Sequence, residues 1–298
     1  MATGFPLGRL ACFLFFLGFC ASAPLVAQVT SEGTFSPAVE TKACQPFFPS
    51  IHYLASTGAF APAIGDFNGD GKLDLVALVE KDLTVLLRTN RGTFRKAGSF
   101  PTGAALPRQV ATGDFNHDGK LDAVVADANG AVAVLLGNGD GTFQAPLITK
   151  TKVETDFVAV GDFNHDGNLD LATVGGSLIQ VLLGKGDGTF HAPVQYPVSN
   201  IASSIAVADF NGDGRLDLAV AIKGYDEDPG NTVTIFLGRG DGTFRPGVDY
   251  GVGYEPTAIT AADFNGDGSI DIATANYLDG TASVLLNRGN GEFKPASI

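Results

Sequence analysis

The stretch "DFNHDGKLDAVVADANGAVAVLLGNGDGTF", Asp114 to Phe143, holds the key to the whole chain. It opens with acids and amides at alternate positions around Gly119, then enters an apolar, β-branched run. It turns at Asn129-Gly130, runs apolar again, turns at Gly139-Asp140-Gly141 and ends on an aromatic ring. Asn-Gly and Asp-Gly tolerate the positive φ of tight hairpins. Extended on both sides, the unit from Pro107 to Thr151 reads as four strands: "RQVATGDF", "LDAVVADA", "AVAVLLG" and "TFQAPLITK". The middle two are nearly continuous in hydrophobicity, as strands covered on both faces are.

The unit recurs. The acidic phrase starts at Asp66, Asp114, Asp162, Asp209 and Asp263, in steps of 48, 48, 47 and 54 residues. A second phrase keeps pace as "NRGTF" at Asn90, "GDGTF" at Gly139, Gly186 and Gly240, and "GNGEF" at Gly289. Four antiparallel strands repeated about every 48 residues describe the blade of a β-propeller. The expected fold is therefore all-β, a β-propeller of about five blades, with units near 58–104, 105–152, 153–200, 201–250 and 251–298. Parallel β-helix repeats are shorter and have no use for hairpin turns. The first strand of each unit ends in small residues, which suits the innermost position. The Phe after each leading Asp and the Phe of each "GTF" are expected to fill the wedges between blades.

The N-terminus carries one charge, Arg9, in its first 27 residues, then the apolar run Leu10–Cys20 and small residues. That pattern predicts a signal peptide over 1–27 and a secreted, extracellular or periplasmic protein with no membrane span after cleavage. Cleavage leaves Cys44 as the sole cysteine, so no internal disulfide is expected. Residues 28–57 read as an N-terminal strand and linker. The phrase "EGTFSPAVE" at Glu32 resembles a lone outer strand, which leaves closure of the ring open. The net charge of −13 argues against nucleic acid as a partner.

Within each acidic phrase the pattern is D-x-N-x-D-G-x-x-D. A hard cation such as Ca²⁺ takes six to eight oxygens. Side chains at positions 1, 3 and 5 of a tight loop can converge on one point; Gly at 6 permits the turn, position 7 offers its carbonyl and Asp at 9 closes the site. An EF-hand needs an acid at position 12, which here is Ala77, Val125, Thr173, Val220 or Thr274. A single copy of the phrase would fit a plain hairpin loop, but three aspartates within nine residues, five times over, would repel strongly if left unneutralised. The expected ligands are Asp66, Asn68, Asp70, Lys72 and Asp74; Asp114, Asn116, Asp118, Lys120 and Asp122; Asp162, Asn164, Asp166, Asn168 and Asp170; Asp209, Asn211, Asp213, Arg215 and Asp217; and Asp263, Asn265, Asp267, Ser269 and Asp271. Position 7 acts through its carbonyl throughout. His117 and His165, at position 4, read as loop residues.

With these residues in view, the units resemble FG-GAP/VCBS repeats, the calcium-loop blades of integrin α-chain propellers and of many secreted bacterial proteins. The resemblance runs from Ala59 to Ile298 and implies about five Ca²⁺ sites. It departs in blade number, since integrin-like propellers usually have seven. It implies a secreted module for adhesion or binding, with an extracellular protein or glycan as ligand. A polysaccharide lyase on the same scaffold, or a purely structural repeat, is the alternative reading. No nucleophile–base pair or catalytic motif is found, so no enzyme is expected. In a propeller the calcium loops and "GDG" turns share one face. The departures from the repeat lie opposite: "KGYDEDPGN", Lys223 to Asn231, and "ACQPFFPSIHYLAS", Ala43 to Ser56. Tyr53, Tyr225, Tyr250, Tyr254 and Tyr277 fall in or beside that opposite face, and a ligand is expected there.

Overall fold

The structure is a computed structural model that describes residues 59–225 and 228–297. The chain divides into two compact units, 1–53 and 54–298, and every described residue lies in the second. The expected signal peptide over 1–27, the linker over 28–57 with its "EGTF" phrase, Cys44 and Tyr53 lie outside the described residues.

Nineteen strands form five antiparallel sheets, and no helix occurs among the described residues. The first sheet is β1 (Ala59–Gly65), β2 (Asp74–Val79), β3 (Asp82–Arg88) and β4 (Phe94–Pro101) in chain order. The second is β5 (Pro107–Gly113), β6 (Asp122–Asp127), β7 (Ala131–Leu135) and β8 (Leu147–Lys150). The third is β9 (Phe157–Gly161), β10 (Asp170–Gly175), β11 (Leu178–Leu182) and β12 (Val194–Pro197). The fourth is β13 (Ala202–Ala208), β14 (Asp217–Tyr225), β15 (Asp228–Phe236) and β16 (Val248–Gly251). The fifth has three strands, β17 (Pro256–Ala262), β18 (Asp271–Asn276) and β19 (Thr281–Leu285). Inner strands β1, β5, β9, β13 and β17 pack each on the next, as the blades of a propeller do. Among the described residues the first and last sheets do not pack against each other, so no closed ring is formed there.

The fourth strands differ from the uniform set the repeat suggests. β4 has eight residues and pairs along all of β3, whereas β8, β12 and β16 have four. The cause is proline. Pro146, Pro193 and Pro246 follow the "GTF" phrase by two or three residues and cannot donate to the ladder, so only an isolated bridge such as Gly137–Phe143 forms before them. The first unit has no proline there. In the fifth unit one bridge, Val284–Ser297, lies beyond Pro295 among the described residues.

Four apolar cores fill the four wedges between neighbouring sheets. β2 and β3 send Val76, Leu78, Leu83 and Val85 one way, to meet Ala123, Val125, Ala133 and Leu135 of the second sheet. Alternate residues of that sheet, Val124, Ala126, Val132 and Val134, face the third. This explains the unbroken hydrophobic runs: the middle strands of the second, third and fourth sheets each have two cores to supply. The phenylalanines join the sheets as the repeat predicts. The ring after each leading Asp packs on the "GTF" or "GEF" ring of the following sheet, with centroids 5.8 Å apart for Phe67–Phe143, 6.1 Å for Phe115–Phe190, 5.6 Å for Phe163–Phe244 and 5.8 Å for Phe210–Phe293. Such tilted pairs add about 0.5–1.5 kcal/mol beyond their burial. Among the described residues no sheet follows the fifth, and Phe264 stays 42% exposed. A leucine comes the other way: a Cβ at Gly65 would lie 2.0 Å from Leu121 Cδ2, and one at Gly113 2.5 Å from Leu169 Cδ1. Those two glycines make room for the next sheet.

Candidate functional site

Each acidic loop lies between the first and second strands of its sheet and folds around its own amides. In the first, Asp66 Oδ1 and Asn68 Oδ1 both accept from the Asp70 amide, at 3.1 and 3.0 Å, and Asp66 Oδ2 accepts from Gly71 at 2.7 Å. Asp70 Oδ1 accepts from the Lys72 amide at 3.0 Å. The double bond to the position-5 amide recurs at Asp118, Asp166, Asp213 and Asp267. Oxygens of positions 1 and 3 are thereby gathered around one point in all five loops. Position 4 is left-handed in every copy, with φ of 70, 58, 58, 71 and 76° at Gly69, His117, His165, Gly212 and Gly266. Glycine meets that demand without strain; the two histidines occupy it as loop residues. His117 Nε2 also lies 2.8 Å from Asn168 Oδ1, which links the second loop to the third.

The closing aspartate does something the spacing does not reveal. Asp74, Asp122, Asp170, Asp217 and Asp271 are fully buried at the first residue of the second strand. One oxygen accepts from the amide of the loop Phe, as at Phe163 (2.8 Å), and the other from the residue leaving or just past the third strand, as at Gly184 (2.7 Å). It thus ties the loop to the far hairpin of its own sheet. Burial, with help from the neighbouring loop aspartates, pushes Asp122, Asp170 and Asp217 up to about 6 and shifts Asp74 the same way. A carboxylate has about four acceptor sites, so these bonds leave lone pairs for a cation.

Position 7 also has a side-chain role. Lys72, Lys120 and Arg215 fold back on the position-5 carboxylate, at 2.9, 3.4 and 3.6 Å. In the two loops without a cation there, Asn164 and Asn265 donate to that carboxylate instead, at 2.9 and 2.8 Å. The Lys72 ammonium is the main cause of a lowered pKa at Asp70. Among the described residues no three carboxylates or other acid, His or Cys side chains converge as a metal-holding group. The donors in reach of one point are the mixed set of positions 1, 3 and 5.

Four overlapping matches to the FG-GAP-like repeat cover residues 66–125, 114–173, 162–220 and 209–274. The chain belongs to the FG-GAP-like repeat family. No curated protein matches it by sequence. Among solved structures, an Agrocybe aegerita lectin, described by its specific recognition of non-reducing terminal N-acetylglucosamine, superposes with a TM-score of 0.56 at 22% identity, over 79% of this chain and 64% of the lectin. BBS1N, solved in complex with ARL6DN, superposes with a TM-score of 0.51 at 11% identity, over 76% of this chain and 63% of that one. The chain thus spans less than two thirds of either protein, and the likeness is one of fold.

On the face opposite the acidic loops the FG-GAP repeats diverge. The insertion Lys223–Asn231, read from sequence as a longer loop, extends the hairpin ladder instead: β14 and β15 reach nine residues each and pair as far as Tyr225–Asp228. Its tyrosine stands at the tip, 58% exposed. Tyr254 and Tyr277, on the next two loops, are 47% and 73% exposed, beside an exposed Leu278. Tyr250 belongs elsewhere. It packs its ring 5.3 Å from Phe293 in the core between the fourth and fifth sheets, because its strand alternation turns it inward. Among the described residues the exposed tyrosines of this face are therefore Tyr225, Tyr254 and Tyr277.

Proposed function

We propose that this FG-GAP-like repeat protein is a secreted, non-enzymatic binding module, held by calcium at its acidic loops and recognising a ligand through the opposite loop face. The observation that carries the reading is the division between the two faces. One repeats the same oxygen-rich loop five times. The other breaks the repeat and exposes three tyrosines on adjoining loops. Amphipathic aromatics mixed with acids and amides suit recognition. The lectin of similar fold supports a module that can bind, and the family supports the scaffold.

For calcium, the donors are all oxygen, which suits a hard cation. Positions 1, 3 and 5, the carbonyl of position 7 and the free lone pairs of the closing Asp would hold it. Bound Ca²⁺ would supply positive charge to a loop that carries three aspartates within nine residues. Extracellular modules of this kind work at about 10⁻⁴–10⁻³ M. A cation that binds only the folded loops raises stability by mass action.

The test has two arms. Thermal melting in millimolar Ca²⁺ and in EDTA should differ by several degrees, and identical curves overturn the calcium reading. Glycan and protein arrays probed with and without EDTA should give a saturable, calcium-dependent ligand. Turnover of a uronic polysaccharide by the protein would replace the binding module with a lyase.

A further inference from the structure

We propose that the tyrosine-bearing loops of the fourth and fifth sheets bind an uncharged oligosaccharide; the inference rests on the binding-module reading above and adds the place and the ligand class. The loops form one unit. The Tyr277 amide donates to the Glu255 carbonyl at 2.9 Å, the Tyr254 amide to Asp279 Oδ2 at 2.6 Å, and the Glu255 amide to the Gly230 carbonyl in the extended hairpin at 2.8 Å. Glu255 sits at the junction with a left-handed φ of 54°, a strained state for a residue with a side chain.

Beneath the loops lies a buried polar network. Asn276, 2% exposed, donates to Ser283 Oγ at 2.8 Å and Thr281 Oγ1 at 3.1 Å and accepts from Thr274 Oγ1 at 2.9 Å. Ser283 Oγ in turn accepts from the Gly253 amide at 3.0 Å, on the Tyr254 loop. At the place of Asn276 the other sheets carry Val79, Asp127, Gly175 and Ile222, so none repeats this amide. Plain packing of a terminal blade does not call for it. Its effect is to fix the two loops that carry Tyr254 and Tyr277 relative to each other, which is the preorganisation that a recognition site needs.

The chemistry selects the ligand. A tyrosine ring stacks on the C–H face of a pyranose, and carboxylates accept from sugar hydroxyls. Here exposed rings alternate with Glu255, Asp279 and Asp228. Asp279 keeps one oxygen free of the Tyr254 amide. No Lys or Arg stands in Tyr254–Glu255 or Tyr277–Gly280 to receive an anion, and Lys223, two residues before Tyr225, acts on Asp156 at the entry to the third sheet. With Glu255, Asp279 and Asp228 beside the rings, that rim repels uronates, sialic acids and sulfated sugars. A protein partner wants a contiguous apolar centre, whereas these rings stand on separate loops with acids between them.

Calorimetric titration of the full chain in Ca²⁺ buffer against neutral hexasaccharides of glucose, mannose and N-acetylglucosamine, with oligogalacturonate as the acidic probe, tests it. At least one neutral hexasaccharide should bind about tenfold or more tighter than the acidic one. Tyr277→Ala and Tyr254→Ala should each weaken that binding about tenfold, with the melting temperature unchanged. Tyr277→Phe, which keeps the ring, should stay within about twofold of wild type. Failure of every neutral sugar to bind, equal binding of oligogalacturonate, or an unaltered affinity in Tyr277→Ala overturns the inference. A protein ligand, or a glycan indifferent to both tyrosines, overturns it while sparing the binding-module reading; a chain that binds nothing on either array overturns both.

Discussion

Replacing Asp127 by Ala should destabilise the protein by about 2–4 kcal/mol at pH 7, and the loss should shrink in acid. Asp127 ends β6, 4% exposed. Its Oδ2 accepts from the Ala105 amide at 2.9 Å and its Oδ1 from the Leu106 and Asn129 amides at 2.8 and 3.0 Å. One carboxylate thus holds the connection from the first sheet to the second and caps the β6–β7 turn. A hydrogen bond to a charged group contributes about 1.5–3 kcal/mol, so three would suggest more than the value given. Ala105, Leu106 and Asn129 are themselves exposed, so water can replace part of what is lost. Burial alone would raise this carboxyl; the amides of Ala105, Asn129 and Leu106 and the charge of Lys150 outweigh it and hold the pKa below the ordinary range. A depressed folded pKa contributes stability above the unfolded value, and that stability disappears as pH falls through the folded one. Wild type and Asp127→Ala should therefore differ most near neutrality and converge below about pH 4. Asp127→Asn, which keeps one acceptor, should fall between them. Urea unfolding from pH 7 down to about pH 3 measures this. A difference under about 1 kcal/mol at pH 7, or one that does not narrow in acid, refutes the reasoning.

Phe210→Ala, which empties a site 1% exposed against Phe293, should cost about 3–5 kcal/mol, whereas Phe264→Ala should cost under about 1 kcal/mol; equal losses in urea unfolding would contradict the one-directional joint between sheets. Lys72→Ser and Lys120→Ser free a position-5 carboxylate from its internal cation and should raise calcium affinity at those loops a few-fold, as read by calcium titration. By the same logic the third and fifth loops of the unaltered protein should fill first. Gly113→Leu should unfold the chain or lower its melting temperature sharply, because the new side chain meets Leu169; a melting curve like wild type would remove the close approach from the account.

The repeat, the antiparallel blades and the phenylalanine wedges are readable in the sequence because each rests on a local signal that recurs: Asn-Gly or Asp-Gly turns, β-branched runs, one aromatic at a set offset. What recurs only in space is hidden. The closing Asp reads as a fifth ligand in a loop, yet its two oxygens reach an amide seven residues back and another about fifteen residues on, and that second distance depends on hairpin pairing. Lys72 at a variable position reads as irrelevant until its ammonium is seen on Asp70. The prolines of "QAP", "HAP" and "RPG" did carry a signal for the shortened outer strands, since a missing amide is a property of the residue itself. Tyr250 and Tyr254 look alike four residues apart, but Tyr250 lies within β16 and packs inward, whereas Tyr254 lies past the end of that strand in an exposed loop.

The ring that each sheet lends to the next has a consequence for the length of the protein. A segment cut between equivalent points, such as residues 114–161, carries away one complete donor and one complete acceptor of the joint. Its removal would leave Phe67 facing the ring of Phe190, so the array heals across the gap. Removal of anything other than a whole number of periods strands a ring. Such a chain can shorten or lengthen by whole periods through recombination, and each new boundary between sheets keeps the ring pairing of the old one.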